Sequence, residues 1–242
     1  MPLVKLDATP STNDYLKEMA ASQDVENFTV VTAENQTKGR GQMGATWVSE
    51  KGKNLIMSML IKDSLADISK IYNLNIAVAL AVIAALEKHD IPELSIKWPN
   101  DIMAGNKKIG GILIENSIKS DGRIVSVAGI GLNVNQQDFS QLPKASSLFV
   151  VTNRLYDKED LLEKITQNII NNVHFLTEHA DVLWEAYLSK LFKMGVPMAF
   201  EDANENRFMG IIKGVNPDGK LELLLENESV KIFGIKEIQM LY

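Results

Sequence analysis

Two spacings of apolar residues alternate along the chain and predict a mixture of helices and strands. Apolar side chains three and four positions apart indicate helices over residues 11–21, 68–88, 157–177 and 180–192. Short apolar runs between turn-forming residues indicate strands over residues 28–33, 54–61, 94–98, 101–104, 109–115, 114–118 and 124–128, with 129–135 continuing the last. The run 54–61 is apolar on both faces, which predicts a central position in a sheet.

The pattern changes near residues 193–195. Beyond this point four short strands are predicted, over residues 198–201, 207–215, 220–226 and 229–233. Pro217-Asp218-Gly219 supplies a turn between two of them. Helices and strands segregated in this way favour an α+β fold. We expect a mixed or antiparallel sheet with helices in residues 1–193 and a small β-barrel in residues 194–242.

Charge and composition exclude several classes of protein. The 31 Asp and Glu residues outnumber the 25 Lys and Arg residues, and the net charge of −6 argues against non-specific nucleic-acid binding. The lack of Cys excludes a thiol nucleophile, a Cys zinc site and a disulfide framework. The longest apolar run, residues 76–86, would span about half of a bilayer core as a helix. It predicts a core helix, and a cytoplasmic protein with no membrane partner is expected.

A glycine-rich loop follows the predicted strand 28–33. The stretch Gly39-Arg40-Gly41-Gln42-Met43-Gly44 fits the spacing G-x-G-x-x-G. No helix is predicted to open at Gly44, so a dinucleotide fingerprint is rejected. The backbone amides of such a loop still favour anions. Two interpretations stay open at this point: a mobile surface loop, and a flap that closes on a phosphate-bearing ligand.

The string Lys97-Trp98-Pro99-Asn100-Asp101 is the most unusual in the chain. A strand end followed by a turn explains the Pro, the Asn and the Asp. That interpretation does not explain a Trp and a Lys beside an Asp at one corner. Together these side chains offer an aromatic face, a cation and a carboxylate able to hold Mg²⁺.

Glycines also interrupt two of the predicted strands. Gly110 and Gly111 lie in one of them, and Gly129 and Gly131 lie in the other. Glycine inside a strand often marks the close approach of a ligand or of another backbone, although a bulge beside solvated lysines is the simpler explanation. If the two strands pair side by side, they leave a flat patch without side chains, on which a planar ligand could lie.

In this order, the strings resemble those of biotin–protein ligases. The resemblance rests on Ser11-Thr12-Asn13, on Gly39–Gly44 with Trp47, on Lys97–Asp101, on Lys108–Glu115 and on Gly129–Asn133, and it covers the whole chain. It implies a catalytic domain like that of class II aminoacyl-tRNA synthetases, followed by an SH3-like barrel. It also implies that ATP and Mg²⁺ activate biotin to biotinyl-5′-adenylate, which a lysine of an acceptor protein then attacks.

The resemblance implies a role for each matching residue. Biotin binding is implied for Ser11, Thr12, Asn13, Gln36, Gly39, Arg40, Gly111 and Gly131. Nucleotide binding is implied for Trp47, Lys97, Asn100, Lys108 and Asn133. Catalysis is implied for Arg40, Lys108 and Asp101, with Asp101 also the candidate ligand of Mg²⁺. These residue types suit the chemistry, because activation brings two anions together and cations stabilise the developing charge.

Two departures from the family pattern lead to further expectations. Only ten residues precede Ser11, so neither an N-terminal winged helix nor binding to operator DNA is expected. The loop carries Gln42, Met43 and Ala45 where many family members have Arg, so faster release of the adenylate is expected. By the same resemblance, the acceptor is the biotin carboxyl carrier domain of a carboxylase. Whether the chain forms a homodimer is left open.

Three other functions compete with this interpretation. A lipoate or octanoate protein ligase or transferase shares the catalytic fold but is not expected to carry the string 97–101. A non-catalytic biotin or nucleotide sensor has no need of Arg40 and Lys108 together. A structural protein with coincidental motifs is the third. A panel of carboxylic acids separates the first from a biotin ligase, and release of pyrophosphate separates the second.

Overall fold

A seven-stranded mixed sheet forms the larger part of the chain, of which the computed structural model describes residues 1–65 and 67–242. In spatial order its strands are β1 (Leu3–Leu6), β2 (Val30–Ala33), β3 (Leu55–Lys62), β7 (Ile124–Leu132), β6 (Lys107–Ile118), β5 (Asp101–Ala104) and β4 (Leu94–Lys97). Strands β1 and β2 pair in parallel, and every other neighbouring pair is antiparallel. The predicted central position of residues 54–61 is confirmed, because β3 lies between β2 and β7.

Helices cover both faces of this sheet, which explains why β3 is apolar on both faces. On one side lies α1 (Thr12–Ser22), whose Leu16 is buried against Leu60 of β3. On the other side lie α2 (Ile71–Leu86) and α4 (Lys158–Leu176), which share a core with Met57 and Met59. Two shorter helices, α3 (Leu148–Thr152) and α5 (Ala180–Ser189), complete the set.

The most apolar helix is part of this core. Residues Ile71–His89 are long and apolar enough to cross a membrane by length and composition alone. Most of the side chains of α2 are nevertheless buried within the protein. Asn168 and Asn172 of α4 donate hydrogen bonds from their side chains to the carbonyls of Ala81 and Ala77 in α2. The packing supports the predicted core helix.

A second, five-stranded antiparallel sheet of the SH3-like type ends the chain. Its order is β11 (Val230–Phe233), β10 (Leu221–Leu225), β9 (Arg207–Val215), β8 (Pro197–Asp202) and β12 (Ile238–Leu241). The rings of Phe200, Phe208 and Phe233 stack with centroids 5.8 Å apart and form its core. The turn Pro217-Asp218-Gly219 docks on the larger sheet, because the Gly219 carbonyl accepts a hydrogen bond of 2.8 Å from Trp98 Nε1.

The structure corrects several predicted elements. The first element is β1 rather than a helix, and neither α3 nor β12 was expected; all three have five residues or fewer, too short for a clear period. Strand β6 begins at Lys107, before the predicted start at residue 109, and runs without a break through the strands predicted over residues 109–115 and 114–118. Strand β7 ends at Leu132, so residues 133–135 lie beyond it.

Candidate functional site

A cavity of about 200 Å³ lies on the face of the large sheet that α1 covers. Its walls are the start of α1, the loop 36–47, and the paired strands β6 and β7. The predicted site residues that line it are Ser11, Thr12, Asn13, Gln36, Arg40, Trp47, Asn100, Lys108, Gly111 and Gly131. Gly39, Lys97, Asp101 and Asn133 do not line it. Residues far apart in the sequence therefore meet in one place.

The start of α1 presents hydrogen-bonding groups to the cavity. Ser11 caps the helix, because its Oγ accepts a bond from the Asp14 amide. Both the amide and the hydroxyl of Thr12 donate to Gln36 Oε1, at 2.8 and 3.1 Å. Asn13 Nδ2 donates to Glu115 Oε2 at 2.8 Å. The cap and the functional interpretation of these residues are therefore compatible, since the helix start faces the cavity.

Ser58 of the underlying sheet contacts the side chains of Thr12 and Asn13, and the sequence did not predict this role. Its side chain is fully buried on β3, with its Oγ 2.7 Å from Thr12 Oγ1 and 2.6 Å from Asn13 Oδ1. A buried hydroxyl needs partners, and here both are residues of the site. The available signal was a single hydroxyl in the otherwise apolar stretch Leu55–Ile61.

The glycine-rich loop folds back on itself over the cavity. The Trp47 amide donates to the Gly39 carbonyl at 3.0 Å, and the Gly41 amide donates to the Ala45 carbonyl at 2.7 Å. A side chain on Gly39 would collide with the carbonyl of Trp47, so this close return requires glycine. A short 3₁₀ turn, Gln42–Gly44, lies at the tip instead of a helix N-terminus. The rejection of a dinucleotide fingerprint agrees with this geometry.

Trp47 occupies the flat patch that the glycines create. Gly111 and Gly131 are directly opposite each other in the β6–β7 pair, so the predicted pairing is confirmed. The planar group that lies on the patch is the indole of Trp47, which packs against both glycines. Its Nε1 is buried and lacks a hydrogen-bond partner within the described part of the chain. Trp47 thus forms a wall of the cavity.

Lys108 and Asp101 form a salt bridge beside the cavity. Lys108 Nζ lies 2.6 Å from Asp101 Oδ1 and 5.6 Å from the centroid of the Trp47 ring. Lys97 Nζ lies 3.7 Å from the other carboxylate oxygen. Tyr242 packs nearby; burial raises the pKa of its hydroxyl, Asp101 raises it further, and Lys108 opposes both. The cluster of Lys97, Lys108 and Asp101 therefore has more positive than negative side chains.

The surroundings of Asp101 do not fit a metal ion that is held by protein side chains alone. Both carboxylate oxygens face ammonium groups. Within residues 1–65 and 67–242, no group of three His, Cys, Asp or Glu residues is placed to hold a metal ion. Mg²⁺ is usually held by one or two carboxylates together with substrate phosphates. The donor set does not fit a metal site built by the protein alone, and no step is assigned to such a site.

Arg40 lies at the mouth of the cavity and is held there by acidic groups. Its guanidinium forms salt bridges with Asp14 and with Glu115, the latter at 3.1 Å. Lys17 Nζ also forms salt bridges with these carboxylates, at 3.0 Å from Asp14 Oδ1 and 2.9 Å from Glu115 Oε1. Burial lowers the pKa of Lys17, but Glu115 and Asp14 outweigh burial and leave it raised. Sequence reasoning placed Glu115 in a motif string without a role and missed Asp14.

Two residues of the motif strings, Trp98 and Asn133, make hydrogen bonds that hold parts of the fold together. Trp98 is buried and bonded to Gly219, so it joins the two sheets, and it does not line the cavity. Asn133 is buried, and its Nδ2 donates to the Ser146 carbonyl at 2.9 Å. Asn133 does not line the cavity, and its contact with a nucleotide stays a prediction.

Comparison with known proteins identifies the family. Residues 6–135, more than half of the chain, match the model of the biotin/lipoate A/B protein ligase family. The chain belongs to this family. It is 31% identical to the bifunctional ligase/repressor BirA of Bacillus subtilis, over 98% of this chain and 74% of that protein. It is 27% identical to the biotin–[acetyl-CoA-carboxylase] ligase of Mycobacterium tuberculosis, over 93% of this chain and 84% of that protein.

A solved structure agrees with the whole architecture. The biotin protein ligase of Aquifex aeolicus, in complex with biotin and ATP, superimposes with a TM-score of 0.80 at 27% identity. The superposition covers 99% of this chain and 98% of that one. The predicted fold class and the prediction of a biotin–protein ligase are confirmed. The roles of individual residues stay predictions.

Proposed function

We propose that the chain activates biotin with ATP and transfers it to a lysine of a biotin carboxyl carrier domain. The observation that carries the proposal is a single cavity in which neutral hydrogen-bonding groups lie beside two cationic side chains. Thr12 and Gln36 represent the first kind, and Arg40 and Lys108 the second. The names of the relatives, which include biotin–[acetyl-CoA-carboxylase] ligases, support the substrate and the acceptor.

The neutral end of the cavity suits the ureido ring of biotin. A urea group has one carbonyl acceptor and two N–H donors and carries no charge. Hydroxyl and amide side chains at the start of α1 supply both donors and acceptors. We assign Ser11, Thr12, Asn13 and Gln36 to this ring. Gly111 and Gly131 form the floor and leave room for the indole of Trp47, and Gly39 allows the loop to close.

The cationic end suits the reacting groups. A biotin carboxylate oxygen attacks the α-phosphorus of ATP, and the bond to the β-phosphate oxygen breaks, so that pyrophosphate leaves with the electron pair. Lys108 and Arg40 bring the two anions together and stabilise the charge that develops. Asp101 orients Lys108, while Trp47, Lys97, Asn100 and Asn133 are assigned to the nucleotide. Mg²⁺, when it enters with ATP, shields the phosphates.

The second step needs an amine from outside. The acceptor lysine attacks the carbonyl of the mixed anhydride, its proton is lost, and AMP leaves. A closed loop excludes water and protects the anhydride until the lysine arrives. We assign residues 1–193 to catalysis and residues 194–242 to a separate SH3-like unit. A cytoplasmic location and no binding to DNA complete the proposal.

Exchange of labelled pyrophosphate into ATP tests the proposed activity. Purified protein with Mg²⁺ is given biotin, lipoate or octanoate in separate reactions. Exchange that depends on biotin is the expected result. Exchange with lipoate or octanoate instead would move the chain to the other branch of its family. A folded protein that gives no exchange with any of them would favour a sensor and remove the catalytic roles of Arg40 and Lys108.

Replacing Ser58 by alanine is expected to weaken biotin binding. The change removes the hydroxyl that holds Thr12 and Asn13, and a buried polar group left without its partner costs about 1–3 kcal/mol. We expect a dissociation constant for biotin about tenfold higher, measured by calorimetry. Ser126→Ala is the matched control, because Ser126 is also buried and bonds Asn116 away from the cavity. Equal affinities in the two variants would contradict the assignment.

Release of the adenylate is expected to be faster than in relatives with more arginine in the loop. Gln42, Met43 and Ala45 offer no cation, so the intermediate loses ionic contacts to its phosphate. The measurement is the off-rate of biotinyl-5′-adenylate in one buffer for this chain and for an arginine-rich relative. The variant Gln42→Arg is expected to slow release several-fold. An off-rate already as slow as the relative's would disprove the expectation.

A further inference from the structure

The tip of the active-site loop is joined to the small C-terminal sheet by one side chain. Lys236 lies in the turn between β11 and β12, and its Nζ donates to the backbone carbonyl of Met43 at 2.7 Å. The two residues are 193 positions apart in the sequence. The bond therefore connects the loop that covers the cavity with the part of the chain that lies farthest from it in sequence.

Both ends of this bond are held in constrained turns. Met43 has φ 54° and Lys236 has φ 68°, the left-handed region that residues other than glycine seldom adopt. The turn that carries Lys236 is closed on itself, because the Gly234 amide donates to Glu237 Oε2 at 2.6 Å and the Glu237 amide donates to the Gly234 carbonyl. Strained backbone persists only where its surroundings hold it. The hydrogen bond between Lys236 and Met43 thus joins two turns of constrained backbone.

The space around the bond shows why it matters for the loop. A recess of about 220 Å³ separates Gln42 and Met43 from the strand and turn at residues 235–240. The tip is therefore not packed against the small sheet over a broad area. Within residues 1–65 and 67–242, the other hydrogen bonds of the tip, such as that from the Ala45 amide to the Gln42 carbonyl, lie within the loop. Lys236 spans the recess and ties the tip to the small sheet.

We propose that Lys236 is a positioning residue that holds the loop 36–47 closed and so retains the adenylate in the cavity. The proposal rests on the proposed function for the identity of the retained molecule. Its physical basis is the charge-assisted bond from an ammonium group to a carbonyl, which is stronger than a neutral one. In a loop that carries Gln42, Met43 and Ala45, a cation from another part of the chain supplies an anchor that the loop lacks.

Three variants test the proposal. Lys236→Met removes the donor and keeps the length of the side chain, and Lys236→Arg restores a donor. Lys213→Met is the matched control, because Lys213 is exposed on β9 of the same sheet. The first measurement is hydrogen–deuterium exchange of the amides of residues 41–45 without ligand. We expect about fivefold faster exchange in Lys236→Met, as for the loss of one exposed hydrogen bond to a charged group.

The second measurement is the rate at which preformed biotinyl-5′-adenylate leaves the protein. We expect release about threefold to tenfold faster in Lys236→Met, a return towards the original rate in Lys236→Arg, and no change in Lys213→Met. Amide exchange equal to that of Lys213→Met would overturn the anchoring contact. Faster exchange with unchanged release would overturn the role in retention. Failure of the unaltered chain to form adenylate would refute the proposed function instead, and the amide exchange would still decide the anchoring contact.

Discussion

Lys108→Ala is expected to lower the rate of adenylate formation by more than tenfold, and by as much as about 10²-fold. The ammonium of Lys108 lies at the cavity, 2.6 Å from Asp101 and beside Trp47. It is one of the two cations proposed to meet charge that develops between a carboxylate and an α-phosphate in this cavity. Because this charge exists mainly in the transition state, the loss is expected in kcat more than in KM.

Lys107→Ala provides the matched control for this experiment. Lys107 is the neighbour of Lys108 on β6, but it is exposed and its Nζ bonds to the Pro143 carbonyl away from the cavity. Pyrophosphate exchange and melting temperature are measured for both variants. We expect similar melting temperatures and a large loss of exchange only in Lys108→Ala. Unchanged turnover in that variant would remove Lys108 from the mechanism.

Gly131→Ala is expected to block the site by steric overlap. A Cβ at this position would lie 2.6 Å from Trp47 Cζ2 and 2.8 Å from Trp47 Nε1, closer than real contacts allow. The neighbour is a rigid aromatic ring, so the indole must leave the patch and move into the cavity or into solvent. We expect the affinity for biotin and for ATP to fall at least tenfold, about 1.4 kcal/mol or more.

Two other glycine variants are compared with Gly131→Ala. At Gly111 a Cβ would lie 3.3 Å from Trp47 and 3.4 Å from Lys108. The two further methyl groups of Gly111→Val enter the same space, so this variant is expected to weaken biotin binding by steric block. At Gly214, in β9, the nearest atom is 3.6 Å away, and Gly214→Ala serves as a control with ordinary contacts. Binding is measured by calorimetry. Full affinity in Gly131→Ala would show that the indole need not lie on the glycines.

The chain's own pattern predicts much of the fold, because most elements bury a face with a regular period. Strand β3 alternates Met57 and Met59 towards one core with Leu60 towards the other, and this shows as an apolar run. The elements that were missed are short. Strand β12, Ile238–Leu241, is held by its partner β8, and no local signal marks a four-residue strand of this kind.

The site was predicted less completely, for a related reason. Motif strings identify residues whose types are unusual, such as Gly111 and Lys108, and these do line the cavity. They do not say which side chain packs on which. The indole of Trp47 on the glycine patch and the hydroxyl of Ser58 beneath α1 depend on pairings between distant strands. Such contacts are fixed by tertiary packing, and a single sequence carries little trace of them.

The position of Trp47 gives the protein a built-in optical reporter. The chain has three tryptophans. The indole N–H groups of Trp98 and Trp184 are bonded to the Gly219 carbonyl and to Asn73 Oδ1, and neither ring lines the cavity. Trp47 alone lines the cavity and lies over a lysine. Changes in intrinsic fluorescence during titration or rapid mixing should therefore originate at the loop, and ligand entry can be timed without a label.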